Sequence, residues 1–190
     1  MSQKTGLEIA LEAKGWLSKD ERRFLYWSAD EIGKGCNIVN IGIEYGASVV
    51  CLAEGAAGNC MIYAFDIDLS KWVPTKKYAN VAFGEGDSHE IVMDFLDGSK
   101  VVPWIDLLFI DGDHSYEGVK KDFPWLTLVK PGGTVIFHDC YEWPPAPPRT
   151  VRPVSPEVNQ VVDEWWYVEA PYGKWFELDP VDSMRVFRRL

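Results

Sequence analysis

The stretch Ile105–Cys140, IDLLFIDGDHSYEGVKKDFPWLTLVKPGGTVIFHDC, constrains the fold more than any other part of the chain. Two short apolar runs, Asp106–Ile110 and Thr134–Phe137, are dense in branched and aromatic residues. Runs of this kind, apolar on both faces, belong inside a parallel sheet. Between them Tyr116, Val119, Phe123 and Leu126 recur at helical spacing, and Lys130-Pro-Gly-Gly133 predicts a helix stop and a tight turn. Pro124 falls inside the helical pattern and removes a hydrogen bond, so a break near Phe123 and a second short helical turn are expected. Strand, helix and strand then make a right-handed crossover. Each run ends abruptly in acid and histidine, Asp111-Gly-Asp113-His114 after the first and His138-Asp139 after the second. Ligands of open parallel sheets lie beyond the carboxyl ends of the strands, which is where these side chains project.

Upstream the chain repeats strand followed by helix. Asn37–Ser48 (NIVNIGIEYGAS) leads from an apolar strand through a glycine turn into the apolar helix Val49–Glu54, with Ser48 or a neighbour opening it. Gly42 and Gly46 let the backbone turn sharply and approach a ligand with no Cβ in the way. The spacing is not GxGxxG, which weakens a nicotinamide-dinucleotide reading. Met61–Phe65 is the second strand and ends at Asp66 and Asp68. Asp66 follows Gly42 at close to the ~20-residue interval at which an acid meets a ribose in nucleotide-binding units, where a carboxylate can accept from both hydroxyls. Asp68 is expected to cap the next segment. Val81–Phe83 is a short third strand, and Ser88 or Asp87 satisfies the capping rules for a helix over Glu90–Leu96. Residues 97–103 read as loop.

At the N-terminal side, residues 5–32 carry helical periodicity, broken at Gly15-Trp16-Leu17, and Ser18 with Glu21 forms a capping-box pattern. These helices, within 1–35, are expected to cover one sheet face. A proline-dense segment, 141–156, starts at the catalytic edge and is expected to be a substrate-side flap. Ser155–Trp166 reads as a helix, and Tyr167–Ala170 with Met184–Arg188 as a closing strand pair. A chain of 190 residues fits one domain, 1–190. The four cysteines show no paired spacing and read as reduced thiols. A net charge of −10 argues against nucleic-acid partners, which need clustered Lys and Arg. No segment reaches the ~18 uninterrupted apolar residues of a membrane span. No signal-peptide h-region is visible near Met1, and the expected compartment is the cytoplasm.

IDGDHSYEGVKKDF followed by LVKPGGTVIFHDC resembles the class I S-adenosylmethionine (SAM) dependent O-methyltransferases. The resemblance is closest to the macrocin and cephalosporin-biosynthesis branch and more distant to the catechol O-methyltransferases. It runs from Gly35 to Cys140 and, weakly, over the C-terminal end. It implies an α/β fold, a Rossmann-like three-layer α/β/α sandwich with a seven-stranded, mostly parallel sheet whose last strand is antiparallel. It implies SAM over Gly42–Gly46, with Asn40 where the family carries an acid, Ser48 at the helix start and Asp66 on the ribose. Asp87 and Ser88 would bond the adenine, and Asp111 would stand at the methyl end.

O-methylation needs an acceptor hydroxyl at or near deprotonation. A divalent cation lowers that hydroxyl's pKa and orients it. Asp111 and Asp139 are expected to hold Mg²⁺, with His138 or Asp113 as a third ligand. Cys140 stands where a catechol-type enzyme has an amide ligand, and a thiol suits Mg²⁺ poorly. In the macrolide-sugar branch a histidine three residues after the first aspartate is the general base, which here is His114. The expected function is methyl transfer to a hydroxyl of a small sugar, phenol or natural-product acceptor, with a homo-oligomer left open. Two other classes share the fold: a non-catalytic SAM-binding module and a nicotinamide-dependent oxidoreductase.

Overall fold

The computed structural model describes residues 4–72, 78–98, 104–141 and 155–190. Its centre is a sheet of seven strands: β1 (Asn37–Ile41), β2 (Met61–Asp66), β3 (Val81–Glu85), β4 (Ile105–Ile110), β5 (Val129–Phe137), β6 (Trp175–Glu177) and β7 (Arg185–Arg189). Their spatial order is β3-β2-β1-β4-β5-β7-β6. The first five run parallel, while β7 is antiparallel to β5 and to β6. From β1 the chain steps outward to β2 and β3, then returns to lay β4 on the other side of β1. A crevice opens where the winding reverses, beyond the carboxyl ends of β1 and β4. The expected sandwich, with its antiparallel closing strand, is the observed one.

Successive strand residues face opposite sides. Ile38, Ile62, Leu107, Phe109 and Ile136 pack on one face under the helices α1 (Gly6–Glu12), α2 (Lys19–Glu31) and α3 (Ala47–Ala56). Val39, Ile41, Leu108, Ile110, Val135 and Phe137 lie on the other, against α4 (Ser88–Leu96), α5 (Tyr116–Asp122) and α6 (Pro156–Glu169). Burying both faces is why the strands are apolar throughout.

Local sequence sets the element ends. Both Thr5 with Glu8 and Ser18 with Glu21 form reciprocal capping boxes at the starts of α1 and α2. The Gly15–Leu17 break between them is held by the buried Arg22 guanidinium, which donates to the carbonyls of Ala10, Ala13, Gly15 and Leu17. Pro124 acts as expected, since α5 stops at Asp122 and Phe123–Leu128 continues as a 3-10 helix. The Lys130–Gly133 turn lies inside β5 as a bulge. Ile105 pairs with Val129 but Leu107 with Thr134, and Gly132 takes the left-handed conformation at φ 80°.

Three expectations change. Tyr167–Ala170 is not a strand: α6 runs on to Glu169, because nothing between Trp166 and Tyr167 stops it. The helix is ended by Pro171 in a 3-10 turn and by left-handed Gly173. The partner of β7 is Trp175–Glu177 instead. Cys36 and Cys60 are not separate thiols, for the structure joins them as a disulfide with Cα atoms 4.6 Å apart. They begin the neighbouring strands β1 and β2, a proximity that sequence spacing does not reveal. Cys51 and Cys140 are free and buried. Most of the expected flap at 141–156, residues 142–154, lies outside the described residues. Among the described residues no helix is long and apolar enough to cross a membrane.

Candidate active site

A cleft of about 550 Å³ opens over the carboxyl ends of β1, β2 and β4, bordered by Trp16 and Leu17 from the α1–α2 connection. Its floor is the β1–α3 loop. Gly42, at φ 84°, lies so close to the β4 end that a Cβ there would collide with the Asp111 carbonyl oxygen. Gly46, at φ 88°, caps α3 and is covered by the Trp72 ring. Asn40 is fully buried beneath the loop. Its Nδ2 donates to the Gly42 carbonyl at 2.8 Å, and its Oδ1 has no hydrogen-bond partner among the described residues. Asn40 and Gly46 therefore shape the loop without lining the cleft, whereas Gly42, Ser48, Asp66, Asp87, Ser88 and Asp111 all line it.

Asp66 already carries the loop. Its Oδ2 accepts from the amides of Ile43 at 2.6 Å and Glu44 at 2.9 Å, and its Oδ1 from that of Asp68 at 3.0 Å. A carboxylate has about four acceptor positions, so about one remains for a ribose rather than the two expected. At the far end Asp87 caps α4 by accepting from the His89 amide. The Ser88 hydroxyl donates to Asp122, and the Ser88 carbonyl accepts from Trp125 Nε1 at 3.1 Å. Burial pushes the Asp122 carboxyl up to about 6, with the charges of Asp87 and Asp113 adding to it against the Ser88 bond.

Beyond β4 and β5 lies a dense polar cluster. Asp111 Oδ1 accepts from His114 Nε2 at 3.0 Å and His138 Nδ1 at 3.1 Å. Asp139 follows β5 with left-handed backbone, φ 56°, which aims its carboxylate between both imidazoles. It stands 3.4 Å from His138 Nδ1 and 3.5 Å from His114 Nδ1. Asp111, His138 and Asp139 each offer a ligand atom, and these atoms lie within 4.8 Å of one another. Asp113 turns to Ser115, the N-cap of α5, accepting from its amide and hydroxyl. Of the two third ligands considered, His138 is the one the geometry brings in. Cys140 packs in the core, its thiol pushed up to about 12 by burial.

Residues 39–140, more than half of the chain, match the family described as "Methyltransferase domain". The chain belongs to that methyltransferase family. Among solved structures, the mycinamycin-pathway methyltransferase MycE in complex with Mg and S-adenosylhomocysteine shares the fold of this domain. Its TM-score is 0.68 at 19% identity, covering 99% of this chain and 55% of MycE. TomG of Streptomyces achromogenes, an O-methyltransferase of tomaymycin synthesis in complex with SAM, has a TM-score of 0.68 at 14% identity, covering 99% and 91%. A curated relative, an uncharacterized protein of Acanthamoeba polyphaga mimivirus, is 43% identical over 61 residues; this chain spans 24% of its length.

One residue beside the candidate site escapes sequence reasoning. Glu21, 1% exposed on α2, places Oε1 3.4 Å from His138 Nε2. The same oxygen accepts from the Ser183 hydroxyl at 2.6 Å, and Oε2 accepts from the Ser18 amide at 2.8 Å. In sequence Glu21 shows only its capping role. Burial opposes charge on Glu21, Asp111 and His138 alike. Their mutual attraction outweighs it, holding both carboxyls below the usual carboxylate range and His138 well above the usual imidazole range.

Proposed function

We propose that this domain transfers a methyl group from SAM to a hydroxyl of a small-molecule acceptor. The observation that carries the reading is the convergence of Asp111, His114 and Asp139 beyond adjacent strands, at the edge of a cleft floored by the glycine loop. In the reaction the acceptor oxygen bonds to the methyl carbon as the carbon–sulfur bond breaks. The electron pair of that bond returns to sulfur, giving the neutral thioether, and the acceptor's proton leaves.

The chain's residues divide this work. The Gly42–Gly46 loop, braced by Asp66, fixes the cofactor. Ser88 and Asp87 border the adenine end. Asp111 pairs with His114 Nε2 and orients the imidazole that is to take the proton. Trp16 and Leu17 border the cleft. Asp111, Asp139 and His138 form a donor set that could hold a divalent cation, since their ligand atoms lie within 4.8 Å of one another. Such an ion would lower the pKa of the acceptor hydroxyl.

Calorimetry with SAM, followed by methyl transfer to a panel of sugar and phenolic hydroxyls, tests the reading. His114→Ala should leave SAM affinity within a few-fold and lower turnover ~10²–10⁴-fold, the range for a lost general base. A variant that turns over at the wild-type rate removes His114 from the chemistry. A protein that binds SAM and methylates none of the acceptors is a binding module instead.

A further inference from the structure

The identity of the ion is written in His138 and the carboxylate behind it. His138 is 3% exposed and its two ring nitrogens face different partners. Nδ1 points into the Asp111–Asp139 pair, 3.1 and 3.4 Å from one oxygen of each. Nε2 points to Glu21 Oε1 at 3.4 Å. Glu21 cannot easily turn away, since Ser183 holds that oxygen through its hydroxyl and amide while the Ser18 amide holds the other. A fixed carboxylate on one imidazole nitrogen keeps the proton there and offers the opposite nitrogen as a ligand. This is the support that metal-binding histidines ordinarily have.

The two separations measured from Nδ1 agree, and all three ligand atoms lie within 4.8 Å of one another. Ligands at ~2.1 Å from a common ion stand about 3.0 Å apart in octahedral and about 3.4 Å apart in tetrahedral arrangements. The separations from Nδ1 to the two aspartates span that interval.

Two carboxylate oxygens and one imidazole nitrogen are not the donor set of a magnesium site. Mg²⁺ selects oxygen and keeps its waters, whereas imidazole suits zinc and the transition series. We propose that this centre takes a divalent ion of the transition series or zinc through Nδ1 of His138, in preference to Mg²⁺, and that Glu21 is the residue that positions His138 to bind it. The proposal rests on the reading that Asp111 and Asp139 hold a cation, and it is tested without methyl transfer.

The full chain, stripped of metal, is titrated calorimetrically with Co²⁺, Zn²⁺ and Mg²⁺. Co²⁺ and Zn²⁺ should bind at least ~100-fold more tightly than Mg²⁺. Glu21→Gln, which keeps the capping geometry, should weaken Zn²⁺ by ~10–100-fold, the usual loss for removing a supporting carboxylate. Its Mg²⁺ affinity should barely change. The wild-type protein gives a reading independent of any variant's folding: the ¹⁵N resonance of His138 Nδ1 should move on adding Zn²⁺ and stay in place on adding Mg²⁺. An unmoved resonance in the Zn²⁺-loaded protein, or equal affinity for Mg²⁺, overturns the proposal. Failure to bind any of the three ions overturns it too. A parallel SAM titration reports separately on the methyltransferase reading.

Discussion

Asp122 shows how much one side chain can be asked to carry. Its carboxyl is 2% exposed, lines the cleft, and holds the Ser88 hydroxyl. Burial, with Asp87 and Asp113 nearby, raises it to about 6 from an ordinary 3.8. A carboxyl raised on folding contributes stability that is fully present below its unfolded pKa and is lost as pH rises through the folded value. The loss therefore falls between about pH 4 and pH 6 and is on the order of 2–3 kcal/mol. Asp122→Asn keeps an acceptor for Ser88 and removes the charge. Urea denaturation should show the variant close to wild type near pH 4 and more stable by that amount at pH 7.5. A difference that does not change with pH would reject this account.

At the scale of elements, α2 is more than a cover for the sheet. Ser18 accepts from the amides of Asp20 and Glu21, and its hydroxyl donates to Asp182 at 2.6 Å beside the turn into β7. Ser18→Ala removes the cap and unties that turn. It should cost about 1–2 kcal/mol, measured as a lower urea midpoint with unchanged slope. A change of only a few tenths would show that the Asp182 contact contributes nothing. What could be foreseen in the sequence follows the same division. The starts of α2 and α4, the break before Pro124 and the buried strands all rest on signals within a few residues, and these were legible. So was the gathering of Asp111, His114, His138 and Asp139, because strand ends place them by topology. Tyr167 and Val168 misled, being β-formers that a continuing helix simply absorbed. Glu21 was invisible for a deeper reason: its capping partner lies three residues away, but its partners in the site belong to β5 and the β7 turn.

The whole molecule is a sheet buried on both faces with its cleft at the winding reversal, and a ligand bound there should stabilise the entire fold. SAM at one hundred times its Kd should add about 2.7 kcal/mol, which for a domain of this size is roughly 5–10 °C in melting temperature. An unshifted melt at saturating SAM would place the cofactor elsewhere or nowhere.

The pairing of Glu21 with Ser183, 162 positions apart, also sets a schedule. A ribosome adding ~5–20 residues each second exposes Glu21 roughly 8–30 s before Ser183 is made. During that interval the carboxylate has its local cap but not the hydroxyl that later fixes it against His138. The strands that carry the cleft can pair as they emerge, yet Glu21 Oε1 gains its Ser183 bonds only when the turn into β7 arrives. Within this domain, the contact that fixes Glu21 is therefore made after the strands β1 to β5 are already available.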